Sequence, residues 1–131
     1  MSQENVAIAR AFVEAYNRED FETALEHGAP GLVLDFSRAL GPYRGVYPRD
    51  QIRGFLEELN ATFESVQFEP EDFIDAGDDV VMPMTIHFQG RDGINVKAKT
   101  TNLWVFRDGA IERIVLYQEL REALEAAGLP E

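Results

Sequence analysis

Asn102-Leu-Trp-Val-Phe-Arg-Asp-Gly-Ala-Ile-Glu112, followed closely by Glu122-Ala-Leu-Glu-Ala-Ala-Gly128-Leu129, is the stretch that decides the fold. An apolar, aromatic run meets Asp108-Gly109, and a second β-like run, Ile111 to Tyr117, begins at once. Asp-Gly between two such runs signals a two-residue hairpin, because both central positions of the favoured turn need positive φ. Beyond Tyr117 the pattern becomes helical and stops at Gly128, suited to a helix C′ position, with Pro130 preventing continuation. The last third therefore reads as strand, tight turn, strand and short helix.

Working back from the hairpin, strands are expected at about 66–74, 80–89, 94–106 and 110–118, joined by the short turn-rich links Asp75–Asp79, Gly90–Gly93 and Asp108-Gly109. Short links between consecutive strands predict an antiparallel meander. The first half is helical. Val6, Ala9, Val13 and Tyr16, widened by Phe12, form one amphipathic stripe. A short helix from near Asp20 ends at His27-Gly28, and Leu32 to Phe36 reads as a buried strand carrying Asp35. After a loop from Ser37 to Tyr47, Pro48 opens a third helix with Ile52, Phe55, Leu56, Leu59 and Phe63 on one face. Helices followed by a meander imply an α+β domain spanning 1–131, with three N-terminal helices on one face of a curved, mainly antiparallel sheet.

The strands are apolar on both sides. Met82, Met84, Ile86 and Phe88 oppose Val81, Pro83, Thr85 and His87, and Ile111, Val115 and Tyr117 oppose Ile114 and Leu116. A sheet wetted on one face would alternate cleanly, so something covers the second face. A second copy of the chain would do so, predicting a homodimer. The C-terminal helix is the alternative cover.

Composition narrows the function. The formal charge of −12, with 12 basic residues scattered among 24 acidic ones, disfavours nucleic acid and anionic membranes as partners. There is no cysteine, hence no disulfide, thiolate metal site or cysteine nucleophile. No apolar run approaches the ~20 residues of a membrane span, and the first residues do not read as a signal peptide, so a cytoplasmic location is expected. His27 and His87 lie far apart without metal-ligand spacing, and no nucleotide-binding glycine motif is present, so neither metal nor cofactor is expected.

The helix–helix–strand opening, the Gly45 to Phe55 segment, the meander and the Glu122-Ala-Leu-Glu-Ala-Ala-Gly128-Leu129 tail together resemble the SnoaL-like branch of the nuclear-transport-factor-2 and ketosteroid-isomerase superfamily. The resemblance implies a cone-shaped α+β barrel enclosing an apolar pocket for a small molecule. It also implies, for many relatives, cofactor-independent isomerase or cyclase chemistry on a carbonyl compound. Non-catalytic binding and a purely structural dimerisation domain are the competing functions.

Three polar residues carry the catalytic reading. Asp35 matches the general base of ketosteroid isomerases. Between Leu34 and Phe36 its carboxyl would lose hydration, and its pKa would rise toward a useful range. The alternative is an Asp35 turned to solvent or tied to loop amides. Asn102 shares a period-two row with Ile94, Val96, Ala98, Thr100, Trp104 and Phe106. It matches the oxyanion-hole acid of those isomerases, and its amide could donate to an enolate, or simply satisfy the core. Glu119 matches an acidic position after the last strand of SnoaL-like proteins, where it could move protons or favour the first turn of a helix. The resemblance breaks at Phe12, which stands where the isomerases carry an oxyanion-hole tyrosine, and at Lys97-x-Lys99, which lacks the Arg-x-Asp of epoxide hydrolases. His87, whose imidazole can serve as acid or base, is either an acid/base or a rim residue. The expected pocket walls are Phe12, Tyr16, Phe55, Leu59, Trp104 and Tyr117.

Overall fold

The computed structural model describes residues 2–130. In chain order it runs α1 (Ser2–Asn17), α2 (Phe21–Glu26), β1 (Gly28–Phe36), a 3-10 turn (Gly41–Tyr43), β2 (Gly45–Pro48) and α3 (Arg49–Thr62). β3 (Ser65–Pro70), β4 (Ile74–Ala76), β5 (Asp79–Gln89), β6 (Asn95–Arg107), β7 (Ala110–Tyr117) and α4 (Leu120–Ala126) complete it. Seven strands form one sheet in the order β2-β1-β7-β6-β5-β3, with β4 beside β5. The architecture is α+β, as expected. The sheet is open, with β2 and β3 at its edges, and does not close into a barrel.

The hairpin that decided the reading is present. Asp108 and Gly109 have φ of 53° and 78°, and Arg107 pairs with Ala110 across the turn. Positive φ at both positions makes the turn follow the twist of its strands. At the other end of this unit, Gly128 has φ of 77°, its N–H reaches Glu125 O at 3.0 Å, and Leu129 N–H reaches Leu124 O at 2.9 Å. Those paired bonds are a Schellman ending, which absorbs carbonyls that α4 leaves open.

Three details differ from the sequence reading. The strand expected over 66–74 is two strands, β3 and β4, both paired with β5. The Ser37 to Tyr47 loop gives up its end to β2, an edge strand against the last residues of β1. β1 starts at Gly28, earlier than Leu32, and runs parallel to β7. Its register shifts between Gly28 and Val33, so Pro30 and Gly31 sit in an irregularity where a missing N–H costs little. Arg49 holds this region, donating to Leu25 O, Gly28 O and Ala29 O at 2.9–3.0 Å. A Cβ on Gly28 would come within 2.6 Å of Leu32 Cδ2 and 2.8 Å of Arg49 Nη1, so a side chain there would displace the ends of both.

α1, α2 and α3 cover one face of the sheet, over a core that includes Phe12, Tyr16, Leu34, Phe55, Met82, Met84, Trp104 and Ile114. On the opposite face Val81, Leu103 and Val115 pack against Ala123, with Leu124 and Ala127 of α4 beside them. The second apolar side that suggested a homodimer is thus covered within the chain at these positions. Ile111 was expected on that side with Val115 and Tyr117, but it belongs to the main core. The register shift between Val105 and Phe106, opposite the start of β7, changes the parity there.

Candidate functional site

The inward side chains of the sheet and the apolar faces of α1 and α3 leave a cavity in two parts. The outer part has a volume of about 190 Å³ and opens past Leu40, which is 74% exposed. Phe36, Phe55, Leu59, Phe68, Phe88 and Leu116 form most of its wall, with Ala98 and Thr100 of β6 as floor. The inner part, about 20 Å³, lies between Phe12, Ile52, Leu56, Asn102 and Trp104. Phe36, Phe55, Leu59 and Phe68 border both, so the inner chamber lies directly behind the outer cavity with these four side chains between them.

Aromatic packing sets the shape of the wall. Phe55 of α3 stacks on Tyr47 at 4.2 Å between ring centroids and meets Phe36 edge-on at 5.5 Å. Tyr47 Oη donates to Tyr43 O at 2.9 Å, which fixes the segment carrying Tyr43 against the opening. Phe12 meets the Trp104 ring edge-on at 5.2 Å and closes the inner chamber from α1. Edge-on and offset rings hold rigid apolar surface without strain.

The polar side of the cavity comes from one strand. Thr100, Asn102 and Trp104 are successive inward residues of β6, each no more than 8% exposed. Thr100 Oγ1, Asn102 Oδ1 and Trp104 Nε1 are buried and have no hydrogen-bond partner among the described residues. Buried polar atoms are nearly always paired, so three unpaired atoms in one row beside a cavity mark it as a place for a ligand. Among the described residues lining either part there is no carboxylate, histidine, lysine or arginine.

Asp35 is elsewhere. Leu32, Leu34 and Phe36 of β1 point into the core, and alternation sends Asp35 to the opposite face. Its Oδ1 accepts from Ser37 N–H at 3.0 Å, and its Oδ2 lies 3.0 Å from Arg113 Nη2 and 3.8 Å from Arg38 Nη1. Burial alone would raise its pKa. The Ser37 hydrogen bonds and then the Arg113 and Arg38 guanidiniums outweigh that and hold the carboxyl below its ordinary value. The geometry therefore opposes the general-base role expected for Asp35, since an ion-paired carboxylate outside the cavity reaches no ligand there.

Glu119 and His87 are also outside. Glu119 is exposed at the N-cap of α4, where it forms a capping box with Glu122. His87 Nε2 lies 2.8 Å from Glu69 Oε1 on the outward face of β5. Of the expected wall residues, Phe12, Phe55, Leu59 and Trp104 line the cavity. Tyr16 and Tyr117 do not. Tyr16 is fully buried behind the wall, stacked on Phe68 at 4.3 Å and donating to Asn60 Oδ1 at 2.6 Å. Burial, aided by Glu19, pushes its hydroxyl well above the usual tyrosine range. Tyr117 lies on the outward face with the Arg38 guanidinium 4.7 Å from its ring centroid.

The sequence reading missed Phe36, Tyr43, Phe68 and Phe88 as wall residues, and Gln118 at the rim. Gln118 lines the outer cavity while its Nε2 donates to Arg38 O at 2.8 Å. Phe88 and Ala98 were accessible from strand alternation, which already placed them in line with Ile86 and Asn102. Phe36 and Phe68 gave no such signal, because their positions depend on how β1 and β3 meet α3.

The comparisons with known proteins agree with this architecture. The family model described as SnoaL-like domain matches residues 9–114. No curated protein sequence matches the chain. Among solved structures, TerC co-crystallised with polyporic acid superposes with a TM-score of 0.78 at 21% identity, covering 95% of this chain and 98% of its own. A protein from Xanthomonas campestris pv. campestris, described as a candidate polyketide cyclase, gives 0.72 at 21% identity, with 96% and 98% covered. An NTF2-like protein of unknown function from Burkholderia pseudomallei gives 0.75 at 21% identity, with 93% and 95% covered. At such identities the likeness extends to the fold.

Proposed function

We propose that this chain, which belongs to the SnoaL-like domain family, binds an uncharged apolar small molecule of one or two rings, without carboxylate-driven proton transfer. The observation that carries this reading is the character of the cavity: aromatic and aliphatic walls, no ionised side chain, and a polar row of neutral groups on β6. An ion brought into such a site would lose its hydration and gain no counter-charge, so a neutral ligand is favoured. The size agrees. A dry cavity of roughly 150 Å³ accommodates benzene, and drug-sized ligands need roughly 300 Å³ or more. At about 190 Å³ the outer cavity suits a single or fused pair of rings.

Isomerase or cyclase chemistry needs a base at the bound carbon. Asp35, Glu119 and His87 each have other partners on surfaces away from the cavity. Asn102 Oδ1 as an acceptor and Trp104 Nε1 as a donor remain to orient a ligand. TerC, of the same fold, was crystallised with a small molecule, which supports small-molecule binding here.

Titration with naphthalene tests this reading. Burying about ten ring carbons in a preformed apolar site corresponds to a dissociation constant of about 10–100 μM. Ala98→Phe, which fills the floor of the outer cavity, should abolish binding while the protein remains folded. Absence of naphthalene binding to the unaltered protein, or equal binding by Ala98→Phe, would sink the proposal.

A further inference from the structure

The inner chamber has a feature that the binding of a plain hydrocarbon leaves unused. It is bordered by Phe12, Leu34, Ile52, Leu56 and Ile114, and by two polar side chains, Asn102 and Trp104. These are neighbours on the inward row of β6, about 6.7 Å apart along the strand. Both are almost wholly buried, at 3% and 1% exposure, and Asn102 Oδ1 and Trp104 Nε1 are unpaired among the described residues. The chamber measures about 20 Å³. A cavity needs roughly 10–15 Å³ to hold one water-sized group, so the chamber has room for a single small oxygen-bearing group.

We infer that the inner chamber is a recognition subsite for a single hydroxyl group on the ring system held in the outer cavity, so that the ligand is a phenol-class aromatic alcohol. The inference rests on the reading of the outer cavity as a ligand site. The chemistry of the two unpaired atoms selects the group. Indole N–H only donates, so the incoming atom must accept. Asn102 Oδ1 only accepts, so the same atom must also carry a hydrogen to donate. A hydroxyl does both. With the Asn102 amide turned as it is, a carbonyl or ether oxygen would satisfy Trp104 and leave Oδ1 without a donor. An ammonium would satisfy Oδ1, leave the indole N–H unmet, and bury a charge with no carboxylate on the wall. A carboxylate would be buried equally unpaired.

Position agrees with chemistry. The chamber lies behind Phe36, Phe55, Leu59 and Phe68, which border both parts of the cavity, so a ligand group enters it by displacing these side chains. A flat ring system lying among these side chains points one edge substituent at the β6 row. Thr100, one step back along that row, faces the outer cavity and offers a third polar contact to a second substituent. The aromatic wall therefore supplies affinity, and the Asn102–Trp104 pair supplies selection.

The test compares 2-naphthol with naphthalene and with 1-tetralone, a bicyclic ketone of similar size. Two readouts are used: titration calorimetry, and the indole N–H resonance in a ¹H–¹⁵N spectrum, which is a single peak because Trp104 is the one tryptophan in the chain. 2-Naphthol should bind about tenfold or more tightly than either comparison compound, the worth of satisfying two buried polar atoms. It should move the Trp104 indole resonance strongly downfield, and naphthalene, which has no acceptor, should not. In Asn102→Leu the ratio of naphthol to naphthalene affinity should fall to about one, with Asn102→Ala as the second variant should leucine fail to fold. Equal affinities of naphthol and naphthalene for the unaltered protein would overturn the hydroxyl subsite while leaving the cavity reading intact. A preference for 1-tetralone would overturn it in favour of a carbonyl. Failure of all three probes to bind would overturn both readings.

Discussion

Asp35 and Asn102 are both polar, both buried and both on β-strands, yet they are in opposite states. The Asp35 carboxylate has a backbone N–H and two guanidiniums around it. The Asn102 Oδ1 has no partner among the described residues. Burial of a polar residue is therefore not what distinguishes a site from a structural support. Satisfaction is. A saturated group has no bonding capacity left for a ligand, whereas an unsatisfied one has been desolvated at a cost that a ligand or a buried water can recover.

The comparison can be broken most decisively at Asp35. Asp35→Ala should lower unfolding stability by about 2–3 kcal/mol in urea titration, because charge-assisted hydrogen bonds are lost and Arg113 is left without its carboxylate. Naphthalene affinity should be unchanged. Lost binding with intact stability would reverse the assignments of the two residues. The same carboxylate predicts a direction with pH. Its folded pKa is depressed, so its contribution is present above the unfolded value near about 4 and is lost as pH falls through the folded value. Melting temperature followed from pH 6 downward should show this acid loss, and the loss should be smaller in Asp35→Asn.

The next effect has the opposite sign. Asn102→Leu should raise stability by about 1 kcal/mol, since an unpaired buried amide is replaced by an apolar side chain of similar volume. A clear destabilisation would mean that the amide is satisfied and structural. Smallest is Glu119→Ala, which removes a capping box at an exposed helix start and should cost about 0.5–1 kcal/mol with no change in ligand affinity. An effect of Glu119 on binding would bring a catalytic role for it back into question.

Much of the fold was legible because its determinants are local. Asp108-Gly109 and Gly128 each specify a backbone turn within a few residues, and the meander follows from short links. The parallel pairing of β1 with β7 was not legible, since Gly28-Ala-Pro-Gly31 reads locally as a break and its partner lies some eighty residues away. The site divided along the same line. Period-two alternation placed Thr100, Asn102 and Trp104 on one row, correctly. The same alternation in Leu34-Asp35-Phe36 turns Asp35 away from the core, but its neighbours' hydrophobicity and the resemblance to a known base pointed the other way. Its partners Arg38 and Arg113 could not be inferred from β1 alone.

The parallel join of β1 to β7 also has a temporal consequence. During synthesis, α1, α2 and β1 leave the ribosome long before β7, and the Asp35–Arg113 contact closes a separation of 78 residues. Loop closure of that length is entropically costly and is repaid only when the partner strand exists. The first third of the chain therefore waits, with β1 lacking one neighbour, until the Asp108-Gly109 hairpin is complete. Nascent chains stalled before Ala110 should remain open to proteolysis around residues 28–36, and chains extended past α4 should be protected. Protection in the shorter chains would show that β1 docks on α3 and β2 without its parallel partner.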